Sequence, residues 1–121
     1  MEKKDILILK RIKNRCEEID YLKKRFGAEY ETFIRDRAYF NAVLMCVMQI
    51  SGFSGELSAD FRSETSRRIP WSGIIGIKNA AAHDHGTPDE ELLWETVVKD
   101  VPALAELCAS YPDRARGNTV K

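Results

Sequence analysis

From Ile6 to Phe26 the apolar residues recur every three or four positions: Ile6, Leu9, Ile12, Cys16, Ile19, Leu22 and Phe26. Lysine, arginine and glutamate fill the positions between them. No strand has that period, because strand side chains alternate every second residue. The spacing therefore predicts an amphipathic helix from Asp5 to about Arg25, ended by Gly27. Its narrow stripe predicts pairing along one long neighbour. A chain that begins this way has to bury the stripe against other helices.

The pattern continues in kind. Residues Glu29 to about Gly52 read as a second, longer helix whose middle, Ala38 to Met48, is apolar nearly all round. Such a helix is contacted on several sides, one of which can be another subunit. Gly52 and Gly55 weaken its end, so Ser51 to Ser54 is expected to kink or break. Glu56 to Phe61 resumes helically, as an extension or a short separate piece. Arg62 to Arg68 is polar and turn-like. Pro70 suits the first turn of a helix from Trp71 to about Ala82, with Gly86 terminating the segment. Thr87-Pro88-Asp89-Glu90 then reads as a helix start, with Thr87 as the cap and Glu90 three residues on. The last helix runs to about Ala109 on Leu92, Leu93, Val97, Val101, Leu104 and Leu107, and Pro102 should bend it.

No strand, internal repeat or low-complexity tract is evident. The expected architecture is all-α, a bundle of four or five helices over residues 1–110, followed by a polar tail at 111–121. At 121 residues the chain suffices for one core.

Charge and cysteines narrow the function classes. Formal net charge is zero, so the molecule as a whole is not an obvious polyanion binder. The first forty residues nonetheless collect Lys3, Lys4, Lys10, Arg11, Lys13, Arg15, Lys23, Lys24 and Arg25. From Asp84 to Glu106 the only basic residue is Lys99. That asymmetry allows a basic surface or a contact between subunits, and fits solvated helix faces equally well. Cys16, Cys46 and Cys108 are few, odd in number and far apart, which argues against disulfides and zinc and for buried reduced thiols in a cytoplasmic protein. The N-terminus carries no apolar leader, and Ala38 to Ile50 is too short to span a membrane.

Chemistry gathers at Ile74 to Gly86. Both histidines, His83 and His85, lie there, with Lys78 and Asn79 just upstream. Asn79 and His83 are four apart and share a helix face. Lys78 and His83 stand roughly 140° apart on a regular helix, so they converge only through the long lysine, a distorted helix end, or a second copy across a two-fold axis. These groups suit phosphoryl chemistry without a metal. A histidine moves protons near neutral pH, and a cation steadies the transition-state phosphate. The rival metal reading of His83-Asp84-His85 lacks a second ligand cluster. The plainest reading is a helix C-terminus whose dipole favours Lys and His.

The motifs Ile69-Pro70-Trp71, Ile74-Ile75-Gly76-Ile77-Lys78-Asn79 followed by His83 and Gly86, Leu93-Trp94-Glu95-Thr96-Val97, and Asp100-Val101-Pro102 resemble, in order, the HepT-like branch of the HEPN superfamily. The resemblance covers nearly the whole domain. It implies an all-α homodimer with a metal-independent endoribonuclease site at the dimer cleft, needing no cofactor. It also implies a toxin role, with RNA as substrate and a minimal nucleotidyltransferase antitoxin as partner. Carried over by position, His83 is the catalytic histidine and Asn79 the polar residue after the signature cation.

Two positions depart from the pattern. Lys78 stands where the family has arginine, which keeps the charge but loses the planar fork that grips phosphate at two points. His85 stands where a tyrosine is the target of adenylylation, leaving it an accessory proton carrier or phosphate contact. In an ungapped comparison, Gly52 also replaces a glutamate that many members carry. The expectation is thus a ribonuclease weakened by these changes. The alternative is a catalytically inactive homologue that serves as a dimeric RNA- or antitoxin-binding module.

Overall fold

The computed structural model describes residues 1–83 and 89–111, and for residues 80–83 the backbone course alone. The described part is built from helices: α1 (Lys3–Phe26), α2 (Tyr30–Arg35), α3 (Arg37–Glu56), α4 (Ala59–Glu64), α5 (Trp71–His83), α6 (Glu90–Glu95), a π-helical turn (Thr96–Asp100) and α7 (Val101–Ser110). Among the described residues there is no strand. The all-α bundle expected from the periodicity is what the chain forms.

Helix α1 follows its stripe closely. Leu9, Ile12, Cys16, Ile19 and Leu22 are buried, joined by Ile8, while Ile6 and Phe26 are partly exposed at the ends. Lys23, Lys24 and Arg25 occupy its last turn, where cations favour the negative end of the helix dipole. Gly27 follows at φ 112°, a conformation open to glycine and costly for other residues. The stripe packs along α3, as its coiled-coil spacing predicts, and also takes α7 on its other side. Asp5, 1% exposed, accepts bonds from the Ser58 amide (2.8 Å) and hydroxyl (2.6 Å) and so ties the start of α1 to the α3–α4 junction.

The second helix is divided differently from the expectation. The chain breaks at Asp36, not at the glycines. The Asp36 carboxylate accepts from the amides of Ala38 (3.0 Å) and Tyr39 (3.2 Å), which starts α3 with a side-chain cap. Phe33 then turns back into a ring cluster with Tyr39, Phe40 and Trp94, its centroid 5.0 Å from that of Trp94. Helix α3 runs unbroken through Gly52 and Gly55 to Glu56, because Ile50, Ser51 and Ser54 are buried there and packing outweighs the weak propensity of glycine. Leu57 ends it and Ser58 caps a separate α4, its hydroxyl accepting from the Phe61 amide. Arg62 to Glu64 therefore belong to a helix, and the turn expected from Arg62 begins only at Thr65.

The C-terminal rod starts at Glu90 with Asp89 as its cap, bonding the amides of Glu91 and Leu92. Asp89 thus takes the capping role expected of Thr87, which lies outside the described residues. Leu93, Val97, Val101, Leu104 and Leu107 are buried as expected, whereas Leu92 is 39% exposed. Pro102 acts through a widened turn: the Val101 amide bonds Thr96 five residues back. A proline ring clashes with the carbonyl four residues before it, here that of Val98, and a π turn is one way a helix makes room for the ring. The three cysteines are free and buried. Burial pushes the Cys16 thiol up to about 12 and that of Cys108 to about 11.

Candidate functional site

Helix α5 carries the candidate residues, and its position is fixed from both ends of its inner face. Ile69, Trp71, Ile74 and Ile77 are buried at 1–5% exposure. The Trp71 indole N–H donates to Thr65 Oγ1 (2.9 Å), and that hydroxyl donates to the Phe61 carbonyl (2.8 Å), so α4, the turn and α5 are locked together. The motif residues around Pro70 and Trp94 are thus structural: Trp71 locks the turn, and Trp94 closes the aromatic cluster.

The second fastening involves Ser51, 1% exposed on α3. Its hydroxyl donates to the Ile75 carbonyl (3.0 Å) and lies 3.3 Å from the Lys78 amide, which donates to it. One buried serine therefore bolts α5 to α3 at the turn that bears Lys78. Sequence reading assigned Ser51 only to a break. Its signal was weak, a single hydroxyl in an apolar helix whose partner lies 24 positions on.

With the inner face held this way, Lys78 and Asn79 stand exposed side by side on the outer face. The helix continues from them to His83, so Asn79 and position 83 share a face by register. Lys78 and Asn79 are therefore brought together on one exposed arc. The His83 side chain and the whole of Asp84, His85 and Gly86 lie outside the described residues. Among the residues that are described, no three His, Cys, Asp or Glu side chains converge as a metal site. A Cβ built at Gly52 or Gly76 meets nothing within 4 Å, so both glycines face open space. At Gly55 it would meet Ile75 Cγ2 at 3.9 Å, ordinary contact where α3 and α5 pack.

The family model for Ribonuclease HepT-like proteins matches residues 15–111, and the chain belongs to that family. It is similar to "Putative RNase TTE0752" of Caldanaerobacter subterraneus subsp. tengcongensis, 27% identical over 73% of this chain and 79% of that protein. It is also similar to "Putative RNase MJ1380" of Methanocaldococcus jannaschii, 32% identical over 63% of this chain and 69% of that protein. No solved structure matches the chain significantly. Family and relatives together support a ribonuclease-type function. Among the described residues, no helix is long and apolar enough to cross a membrane.

Proposed function

We propose that the chain is a HepT-like toxin, a metal-independent endoribonuclease acting in the cytoplasm at a cleft between two copies. The observation that carries this is the exposed pair Lys78–Asn79 on a helix rigidly seated by Ser51 and leading to His83. In the reaction an RNA 2′-hydroxyl loses its proton and attacks the adjacent phosphorus. The bond to the 5′-oxygen breaks, and that oxygen gains a proton. The products are a 2′,3′-cyclic phosphate and a 5′-hydroxyl. His83 of one copy serves as base and His83 of the other as acid, which one histidine cannot do at once. Lys78 meets the charge that grows on the phosphate, and Asn79 orients it. His85 is an accessory proton carrier or phosphate contact.

The cleft needs a second copy, and α3 offers a surface for it. Met45 is 60% exposed, and Asn41 before it and the half-buried Met48, exposed Gln49 and half-buried Gly52 after it continue the same side of α3 toward Lys78. A minimal nucleotidyltransferase is the proposed antitoxin. The tyrosine it modifies elsewhere in the family is His85 here, so neutralisation would rest on binding alone. A second reading is favoured by that change together with Lys78: an inactive homologue that keeps the dimer and binds RNA or antitoxin.

Purified protein incubated with tRNA and mRNA in EDTA separates the two. Cleavage that falls about 10²–10⁴-fold in His83→Ala, the usual worth of a general acid–base group, is expected of the enzyme. No cleavage, or equal cleavage by the variant, rules the mechanism out.

A further inference from the structure

A second site lies at the other end of α5. A cleft of about 450 Å³ opens between α4 and the first turn of α5, lined by Arg62, Ser63, Ser66, Pro70, Trp71 and Ser72 among others. The Arg62 side chain has no hydrogen bond or ion pair among the described residues, and its Nε is shut away from solvent with no acceptor. An Nε–H in that condition is costly, since it has given up water and gained no acceptor, while the side chain as a whole stays partly exposed. Arg68, by contrast, is engaged with Ser110 Oγ at 3.2 Å. The acidic residues of α4, Asp60 and Glu64, line a different cleft, with Asp5 and Tyr111. Among the described residues, then, the charge facing this cleft is positive and unanswered. The hydroxyls of Ser63 and Ser72 are exposed beside it, and Ser66 Oγ donates to the Ser63 carbonyl (3.0 Å).

We infer that this cleft binds a phosphate group, gripped by Arg62 and the Ser72 hydroxyl, and that the phosphate belongs to the backbone of the RNA. A phosphate offers two oxygens to one guanidinium together, and a small turn of the Arg62 side chain would bring Nε to the acceptor it lacks. The first amides of α5 add donors from the same side. Register links this cleft to the proposed site of cleavage. Ser72, Gly76, Asn79 and position 83 fall at intervals of four, three and four, along one face of α5. Gly76 leaves that face bare between its ends. Eleven residues of helix separate Ser72 from position 83, roughly 16 Å. A single strand laid along this face therefore touches Arg62 a few nucleotides from the bond being cut. The cleft would hold the substrate in register, with Arg62 as a positioning residue.

The RNA identity of the ligand rests on the ribonuclease reading, and the test keeps the two apart. Inorganic phosphate is titrated into the ¹⁵N-labelled full chain. Saturable shifts of the Ser72 and Gly73 amides and of Arg62 Nε–H are expected, with affinity about 10- to 100-fold weaker in Arg62→Gln. Ser72→Asp, which places a carboxylate in the cleft and suits a helix N-terminus, should abolish the shifts while α5 stays folded. A 2′-deoxy-substituted oligonucleotide that cannot be cut is then bound across a salt series. The slope of log affinity on log salt should fall by about one in either variant. Phosphate that leaves Ser72 and Gly73 unmoved overturns the inference, as does a wild-type salt slope in both variants. Phosphate shifts in a chain that cleaves no RNA would sustain the anion cleft and sink the ribonuclease reading. RNA cleavage with both variants at the wild-type slope would do the reverse.

Discussion

Helices α1 and α5 both pack on α3, and they use it to opposite ends. Helix α1 is gripped on two sides, by α3 and by α7, and its buried stripe runs nearly its full length. Helix α5 has α3 as its one extensive partner among the described residues, and its outer face keeps Ser72, Gly73, Lys78 and Asn79 exposed. The first arrangement makes a core. The second presents chemistry on a platform, with just enough inward contact to fix its position. The difference shows in how each is fastened: α1 by a row of aliphatic side chains, α5 by Trp71 at its start and the Ser51 hydroxyl beneath Lys78.

Substitutions on the two helices should therefore fail in different ways. The largest effect on stability is expected from Ile12→Ala, at a position with no exposure, which should cost about 2–5 kcal/mol in urea unfolding. A loss below about 1 kcal/mol would mean that α1 is not the closed side of the bundle. Lys78→Ala should leave the unfolding curve in place and lower RNA cleavage about 10²–10³-fold, whereas Lys78→Arg, which restores the fork, should raise it above wild type. A Lys78→Ala variant that unfolds early would place the lysine in the scaffold instead.

The serine bolt sits between these cases. Ser51→Ala removes two hydrogen bonds across α3 and α5 and should cost roughly 1–2 kcal/mol by the same urea measurement. It should also reduce cleavage, which a purely aliphatic fastening would not. The smallest effect is expected at Gly52. With open space around its Cβ, Gly52→Ala should stabilise α3 by about 0.5–1 kcal/mol. If a second copy covers this face, the same change should weaken self-association in sedimentation. Unchanged association would move the contact elsewhere.

The same contrast governs what could be read from the sequence. The long apolar stripe of α1 and the span of α5 were legible because each side chain's place follows from a period of 3.6 residues. The motif order gave the family, which the match over residues 15–111 bears out. The break at Asp36 was hidden inside a continuous apolar run, since only its carboxylate on the Ala38 and Tyr39 amides reveals a new helix start. Helix α3 outran its glycines because its packing, which no local propensity records, holds Ser51 and Ser54 inside. Ser51 and Arg62 escaped for the same reason. What makes each notable is a partner distant in sequence, or the lack of one, and neither leaves a local pattern.

The ends of cleaved RNA report most directly on the chemistry of α5's outer face. Wild-type protein incubated with RNA in EDTA should leave 2′,3′-cyclic phosphate and 5′-hydroxyl ends, as attack by the neighbouring 2′-hydroxyl requires. Fragments with 3′-hydroxyl and 5′-phosphate ends, or cleavage that EDTA abolishes, would contradict it.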